Sequence, residues 1–249
     1  MASYGPLCTE FYDLDKPEAP ADAVEFYTAR AKEVGGPVLE PMCGSGRFLL
    51  PMLKADVDVH GVDAAPAMLE ACRRQALLQG LDAHLHLQMI EALSLPSKYR
   101  LAFVPSGSIC LVSSDASLRS ALESLKAHLE PGAPLLLEVI PFNGEFSDHD
   151  DPERRVVQAG PDTTLSHTCR STRSLDGLTL TFHGTYEKHQ NFCLIAREEE
   201  EIVLRLHRPS EFLGLLSECG FTESRVVVAS NFVWLQESGC ILVEARADA

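Results

Sequence analysis

The stretch Val38–Phe48, VLEPMCGSGRF, decides the fold of this 249-residue chain. A short apolar run ending at Glu40 predicts a buried strand, and the glycines after it predict a tight turn into a helix. In a sheet of parallel strands such a turn lies at the carboxyl edge, where α/β proteins bind their ligands. Gly44 and Gly46 let the backbone approach a ligand closely. The stretch therefore predicts an α/β protein with a ligand site at this turn.

Strands and helices alternate on both sides of the turn. Apolar runs predict the strands, and helical patterns lie between and after them. The predicted strands span residues 37–40, 56–62, 83–87, 101–105, 135–140, 226–229 and 240–245, and the predicted helices span 66–78, 116–129 and 209–219. This alternation predicts a doubly wound, mostly parallel α/β sheet with helices on both faces. Pro51 is expected to bend the helix that follows the glycine turn.

The chain changes character after Phe142. Loop-forming residues come first, followed by alternating stretches that predict antiparallel strands. The loop covers residues 143–155, and the strands cover 165–173, 178–187 and about 192–206. Asp176-Gly177 lies between the first two of these strands and is typical of a tight hairpin turn. We therefore predict an antiparallel β insertion over residues 142–206 within a single domain that spans residues 1–249.

The predicted hairpin has one apolar and one polar face. With Asp176-Gly177 as the turn, Cys169, Leu180 and Phe182 share the apolar face, because side chains alternate along a strand. His183 lies on the opposite face by the same rule. The acidic run at residues 197–201 is expected to be a solvent-exposed strand edge or turn. An apolar face of this kind covers either the ligand site or a second subunit, so a homodimer is one expected arrangement.

Composition and charge exclude several classes of partner. The chain has 36 acidic and 21 Lys or Arg residues, a net charge of −15, and it contains no basic run. Nucleic-acid binding draws on cationic groups that neutralise phosphates, so no nucleic-acid partner is expected. We find neither an apolar run of about 18 residues, as a membrane span needs, nor a signal segment. The eight cysteines lack metal-ligand spacing. We expect a cytoplasmic protein with no metal site.

Two common nucleotide motifs fail at the glycine turn. A dinucleotide-binding G-x-G-x-x-G would need its third glycine at Leu49, and the Gly-Lys-Ser/Thr of a phosphate-binding loop is absent. Another feature supports a nucleoside ligand. Asp63 ends the next predicted strand beside the same crevice, where a carboxylate can accept hydrogen bonds from ribose hydroxyls.

Glu40, Gly44-Ser45-Gly46 and Asp63 together resemble the motif of class I S-adenosylmethionine-dependent methyltransferases. The chain resembles the small-molecule type and is similar to sugar-amine N,N-dimethyltransferases, which carry a comparable antiparallel insertion. The resemblance implies a seven-stranded, Rossmann-like methyltransferase fold and S-adenosylmethionine as the cofactor. Met42 stands where the family often has glycine.

The resemblance also implies which residues bind the cofactor. The family commonly has an acid after its third strand that binds the adenine amino group, and Gln88 stands there, with Met89 placed to pack on the ring. Tyr12 matches an aromatic residue near the methionine part of the cofactor. The implied cofactor-binding residues are Tyr12, Glu40, Met42, Gly44, Gly46, Asp63, Ala64, Met68, Gln88, Met89 and Ser106.

The acceptor is expected to be a small molecule with an amine or hydroxyl group. The stretch Pro105–Ser108 after the fourth strand lacks the Asn/Asp-Pro-Pro-Tyr/Phe motif of enzymes that methylate bases or glutamine. The insertion borders the acceptor pocket in related enzymes, and the predicted pocket residues are Ser108, Phe142, His183 and Tyr186. Some members have a histidine after strand four, but Leu111 and its neighbours occupy that region, so no catalytic residue is assigned. The alternative hypothesis is a catalytically silent protein of this fold that binds the nucleoside or acts as an interaction scaffold.

Overall fold

The protein contains two β-sheets, which a computed structural model describes over residues 4–142, 152–227 and 232–248. The main sheet consists of β1 (Val38–Pro41), β2 (Val59–Asp63), β3 (His84–Leu87), β4 (Leu101–Val104), β5 (Pro134–Val139), β10 (Phe221–Val227) and β11 (Ile241–Ala247). The second sheet consists of β6 (Glu153–Gly160), β7 (Thr163–Arg173), β8 (Thr179–Gln190) and β9 (Cys193–Arg205).

The described helices flank the main sheet and connect its strands. They are α1 (Pro6–Asp15), α2 (Ala21–Val34), α3 (Leu49–Lys54), α4 (Pro66–Leu78), α5 (Asp115–His128), α6 (Pro209–Glu218) and α7 (Val233–Ser238). Short 3₁₀ turns follow β3 and β4, at Ile90–Ala92 and Ser108–Leu111.

The main sheet has the order β10-β11-β5-β4-β1-β2-β3. Its pairs are parallel except for those made by β11, which runs antiparallel to both β5 and β10. Every residue of β1 and β5 is buried, as expected for strands covered by helices on both faces. The predicted doubly wound, mostly parallel seven-stranded sheet with an antiparallel insertion is confirmed.

The helix after the glycine turn differs from the prediction. α3 has six residues and begins at Leu49, so Pro51 stands in its first turn. A backbone N–H in that turn has no intrahelical partner, so proline costs little there and causes no kink. The expectation of a bent helix was therefore wrong, because Pro51 lies in the first turn of the helix and not in its interior.

The insertion sheet has the strand order β6-β7-β8-β9, with each pair antiparallel. The β7–β8 register pairs Cys169 with Gly184 and Arg173 with Leu180, which is the register that a turn at Asp176-Gly177 predicts. β6 was not predicted, and its first residues fall within the predicted loop at 143–155. Most of that loop, and the predicted strand residues 228 and 229, lie outside the described residues.

Among the helices of the described segments, none is both long enough and apolar enough to cross a membrane.

Candidate active site

A cavity of about 770 Å³ opens at the carboxyl edge of the main sheet. The glycine turn after β1 and the ends of β2, β3 and β4 form its walls. Of the residues predicted to bind the cofactor, those that line this cavity are Tyr12, Glu40, Met42, Gly44, Asp63, Ala64, Met68, Gln88, Met89 and Ser106. We call it the nucleoside cavity.

Gly46 is not among the lining residues, and its role is structural. Its φ is +87°, in the left-handed region, and a Cβ there would lie 2.6 Å from Cys72 Sγ. Gly46 therefore allows the turn to pack closely against α4, and it does not line the cavity. Met42 also has a left-handed φ, of +60°, which explains why glycine is common at this position of the motif.

Asp63 connects the glycine turn to the start of α4. Its Oδ2 accepts a hydrogen bond from the Gly44 amide at 2.8 Å, and its Oδ1 accepts one from the Ala65 amide at 2.8 Å. Burial raises the pKa of the Asp63 carboxyl, and the amides of Ala65, Gly44 and Ala64 counteract the rise. A carboxylate has about four acceptor positions, so Asp63 can still accept a hydrogen bond from a ligand.

Glu40 provides an unsatisfied acceptor in the same cavity. Its residue exposure is 1%, and its Oε2 has no hydrogen-bond partner among the described residues. Burial and the nearby Asp63 raise the pKa of the Glu40 carboxyl well above its usual range. An unpaired buried acceptor is unfavourable in the free protein, so a ligand that donates a hydrogen bond there removes that cost.

The residues that follow β3 lie at the nucleoside cavity, but their contacts differ from the prediction. Gln88 lines it, but its amide nitrogen donates to the Ser94 carbonyl at 3.0 Å and its Oε1 accepts from the Ser94 amide at 2.7 Å. Met89 is 48% exposed, leaving an open apolar surface. Glu91, which sequence reasoning missed, lines the cavity with a buried Oε2 that has no partner among the described residues. An acid three residues after Gln88 was the signal that could have identified it.

A second cavity of about 590 Å³ adjoins the first. Residues that line both cavities are Tyr4, Tyr12, Arg47, Phe48, Ser106, Ser108, Leu111 and Glu200. One wall is the inner face of the insertion sheet, with Phe182, Gly184 and Tyr186 on β8 and Glu200 on β9. We call this second space the acceptor cavity. The two cavities together form a continuous site between the two sheets.

Helix α1 spans this junction and is held by the acidic run of β9. Glu198 accepts hydrogen bonds from the amides of Leu7 and Cys8, and Glu200 accepts from those of Tyr4 and Gly5. The first amides of a helix have no intrahelical partner, and the helix dipole favours negative charge there. The expectation that the whole run is a solvent-exposed edge was therefore wrong, because strand alternation turns Glu198 and Glu200 inwards.

A buried carboxylate lies on the main-sheet wall of the acceptor cavity. Glu138 Oε1 accepts from the Tyr27 hydroxyl at 2.7 Å and from Trp234 Nε1 at 3.1 Å, and its Oε2 accepts from the Ser106 amide at 2.8 Å. Burial raises the pKa of the Glu138 carboxyl, and these donors counteract the rise. All three donors are neutral, so the carboxylate charge is not compensated by a cation.

The structure separates the residues predicted for the acceptor. Ser108 and Tyr186 line the acceptor cavity, and the Tyr186 hydroxyl accepts a hydrogen bond from the Cys8 thiol at 3.2 Å. His183 does not line the acceptor cavity, because its position on β8 places it on the outer face of the insertion sheet. There its Nδ1 lies 3.4 Å from Glu201 Oε2. Phe142 also lies outside both cavities and packs against the guanidinium groups of Arg173 and Arg208. The structure therefore does not bring His183 and Phe142 to the acceptor cavity with Ser108 and Tyr186.

Within the described ranges, no group of three or more His, Cys, Asp or Glu residues has an arrangement that could hold a metal ion.

Comparison with known proteins gives a family match for the segment that builds the nucleoside cavity. Residues 38–132 match the family described as "Methyltransferase domain". A ubiquinone biosynthesis O-methyltransferase of Xanthomonas axonopodis pv. citri is 27% identical over 99 residues, which cover 38% of this chain and 41% of that protein. A 23S rRNA (uracil(1939)-C(5))-methyltransferase of Alkalilimnicola ehrlichii is 44% identical over 52 residues, or 21% of this chain and 12% of that protein. The match thus spans about two fifths of the first curated relatives.

Solved structures resemble the whole chain. The sugar N-methyltransferase KedS8 from Streptoalloteichus has a TM-score of 0.79 at 21% identity, with 100% of this chain and 97% of that chain covered. CalS10, an amino pentose methyltransferase from Micromonospora echinaspora, has a TM-score of 0.71 at 21% identity, with 98% and 97% covered. At these identities the likeness shows the fold, including the insertion.

The sheet order, the glycine turn and the matched segment agree with one another. Residues 38–132 match a methyltransferase domain, and this match supports the predicted enzyme class, an S-adenosylmethionine-dependent methyltransferase. S-adenosylmethionine is the cofactor of this class, and the residues present fit it. Asp63 has free lone pairs for ribose hydroxyls, while Glu40 and Glu91 offer unpaired buried oxygens for amino groups.

Proposed function

We propose that the protein transfers a methyl group from S-adenosylmethionine to the amino group of a small molecule of the amino-sugar type. The observation that carries this proposal is the junction of the two cavities at Tyr12, Ser106 and Ser108. A donor in one cavity and an acceptor in the other would meet there. Holding both reactants in line is the main contribution a protein makes to such a displacement.

The chain's own residues would hold the cofactor by its polar groups. Asp63 would accept hydrogen bonds from the ribose, Glu40 from the amino group of the methionine part, and Glu91 from the adenine amino group. Tyr12 would border the methionine part, with its hydroxyl fixed by Arg47 Nη1 at 2.9 Å. When bound, the cofactor supplies a sulfonium-activated methyl group. The chain orients the two reactants at the junction of the two cavities.

The charge of the acceptor cavity supports an amine rather than a hydroxyl acceptor. Glu138, Glu200 and Glu237 line it beside Lys16 and Arg47, so the acids outnumber the cations, and none of the three acids forms an ion pair with a cation of the described residues. Carboxylates without a cationic partner favour the positive charge that develops on an acceptor nitrogen as it is methylated. A neutral hydroxyl gains less from them.

The structural neighbours support the same acceptor class. KedS8 is a sugar N-methyltransferase and CalS10 is an amino pentose methyltransferase. Both cover nearly the whole of this chain, including the insertion that walls the acceptor cavity. We extend their acceptor class to this protein, which we also place in the cytoplasm as a single domain without a nucleic-acid partner.

A panel of matched sugars tests the proposal. The purified protein is incubated with S-adenosylmethionine and with methyl glycosides of amino hexoses and amino pentoses. The control glycosides have the same rings with a hydroxyl in place of the amine. Mass spectrometry should find methylated amino glycosides and unmodified controls. Methylated controls would contradict the amine assignment. Cofactor binding without any methylated product would favour the catalytically silent alternative.

A further inference from the structure

A histidine that the sequence analysis did not assign lies in the acceptor cavity. His167, on β7, lines the cavity together with Cys169 of the same strand. Its ring stacks on the Tyr186 ring, with centroids 4.4 Å apart and an interplanar angle of 10°, and it also contacts Phe11 at 5.3 Å. These rings fix the imidazole plane on the inner face of the insertion sheet.

The backbone opposite His167 leaves space for the ring. Cys169 pairs with Gly184 across the β7–β8 ladder, and a Cβ built on Gly184 would lie 2.8 Å from His167 Nε2. Any larger residue at this position would displace the imidazole. Gly184 has an ordinary φ, so the need for glycine there comes from this contact and not from backbone conformation.

The nitrogens of His167 are available for chemistry. Neither ring nitrogen forms a hydrogen bond with a described residue, and neither is among the fully buried unpaired atoms. The side chain is half-buried and lines a cavity. An imidazole with a fixed plane and open nitrogens can exchange a proton with a molecule in that cavity.

The groups around His167 favour its neutral form. Arg155 pairs with it across the β6–β7 ladder and forms an ion pair with Asp15 of α1 at 2.6 Å. Burial and Arg155 lower the pKa of the His167 imidazole, while Asp15 and Glu153 of β6 partly oppose them. Tyr186 of β8 stacks on the His167 ring. Glu200 of β9 pairs with Gly184 of β8. The imidazole is therefore neutral near pH 7, as a proton acceptor must be.

We propose that His167 accepts the proton released by the acceptor's amino group during methyl transfer. This assignment rests on the proposed function. As the bond from nitrogen to the methyl carbon forms and the carbon–sulfur bond breaks, the positive charge moves from sulfur to nitrogen. The nitrogen then loses one N–H proton to an imidazole nitrogen of His167, and the imidazolium returns the proton to solvent through the open cavity. No oxidant or further reactant is required.

A pair of alanine variants tests the assignment, and His183→Ala is the matched control. His183 lies on the same hairpin but on its outer face. With the most active amino glycoside of the panel, His167→Ala should lose about 100-fold in kcat, the lower end of what a general base contributes. Its affinity for S-adenosylhomocysteine, measured by calorimetry, should stay at the wild-type value. His183→Ala should retain wild-type kcat.

Two readouts separate proton transfer from a structural role. Imidazole added to the buffer should restore part of the rate of His167→Ala and leave His183→Ala unchanged. The kcat of the wild type should fall at acidic pH as His167 gains a proton, and His167→Gln, which keeps the side-chain bulk, should lose that acidic limb.

The outcomes also separate this assignment from the proposed function. Wild-type turnover with undiminished kcat in both His167 variants would overturn the role of His167 alone. A loss that imidazole does not rescue, with the acidic limb retained in His167→Gln, would also overturn it. If no amino glycoside is methylated by the wild type, the proposed function fails, and this assignment fails with it.

Discussion

Gly46 illustrates how a motif residue acts through packing. We expect Gly46→Ala to lower the free energy of unfolding by about 1–2 kcal/mol more than Gly80→Ala does, since only the first also overpacks a buried site. Both glycines have left-handed φ values, +87° and +67°, so both variants share the backbone strain. A Cβ at Gly46 additionally meets Cys72 Sγ, whereas nothing lies within 4 Å of one at Gly80. Urea unfolding of both variants gives the comparison. Equal losses would show that Gly46 is kept for its φ alone.

His207 makes stability depend on pH. It is 7% exposed, its Nε2 has no partner among the described residues, and burial and Arg205 lower its pKa to about 4 from an ordinary 6.5. The unfolded chain therefore binds a proton at a higher pH than the folded protein does. The stability is complete above about pH 6.5 and is lost as the pH falls from there towards 4.

We expect His207 to account for about 2 kcal/mol of the stability lost between pH 7.5 and pH 5. The variant His207→Asn cannot be protonated in this range, so its unfolding free energy should fall less over the same interval. Urea denaturation at both pH values measures the difference. The other histidines with a lowered pKa, His60, His86 and His167, are present in both proteins and cancel in the comparison. Parallel pH profiles for the two proteins would contradict this account.

The hydrogen bonds between β9 and the start of α1 can be tested at the level of these two elements. Glu198 binds two amides at the start of α1 but lines neither cavity, so Glu198→Ala should loosen the helix without altering the cavity walls directly. Hydrogen bonds to a charged group contribute about 1.5–3 kcal/mol each, so amide exchange in α1 should speed up at least tenfold.

Hydrogen-exchange mass spectrometry of residues 4–15 measures this change. Glu199→Ala is the matched control, because Glu199 is an acid of the same strand that pairs with Arg197 and, although it lines the nucleoside cavity, forms no hydrogen bond with the amides of α1 among the described residues. Its α1 peptides should exchange at the wild-type rate. The same fast exchange in the control, or unchanged exchange in Glu198→Ala, would show that the carboxylate does not hold the helix.

The elements that sequence patterns predicted are those whose neighbours are close along the chain. The Pro66–Leu78 helix begins with proline and carries a regular apolar face, and the Asp176-Gly177 turn fixed the register of β7 and β8. Long-range contacts had no such signal. The acids of β9 are separated from the helix they cap by about 190 residues, and nothing in the run itself names that partner.

Part of the site could be predicted, because its residues are close together along the chain. The glycine turn and Asp63 belong to a compact motif, so ten of the predicted cofactor residues line the nucleoside cavity. The acceptor cavity forms between sheets that are far apart in sequence. Strand alternation correctly turned His183 away from Phe182, but only the docking of the two sheets shows which face covers the cavity. His167 could therefore not be distinguished from any other histidine on a strand.

At the scale of the whole molecule, the insertion completes the site that the main sheet begins. The apolar face of the hairpin, which includes Phe182, lines the acceptor cavity. That face is therefore directed towards the site, and a homodimer, which stays a prediction, would need another surface. The two cavities meet between the sheets, and we therefore claim that S-adenosylmethionine binds in the nucleoside cavity next to the acceptor.

Calorimetric titration of S-adenosylhomocysteine into the wild type and Asp63→Asn tests that claim most directly. The variant keeps the side-chain shape but loses the charge that faces the ribose, a loss of about 1.5–3 kcal/mol in hydrogen bonding. Asp58→Asn, in the loop before β2, is the control. We expect one binding site in the wild type and the control, and at least tenfold weaker binding in Asp63→Asn. Equal affinity in all three proteins, or no binding by the wild type, would contradict it.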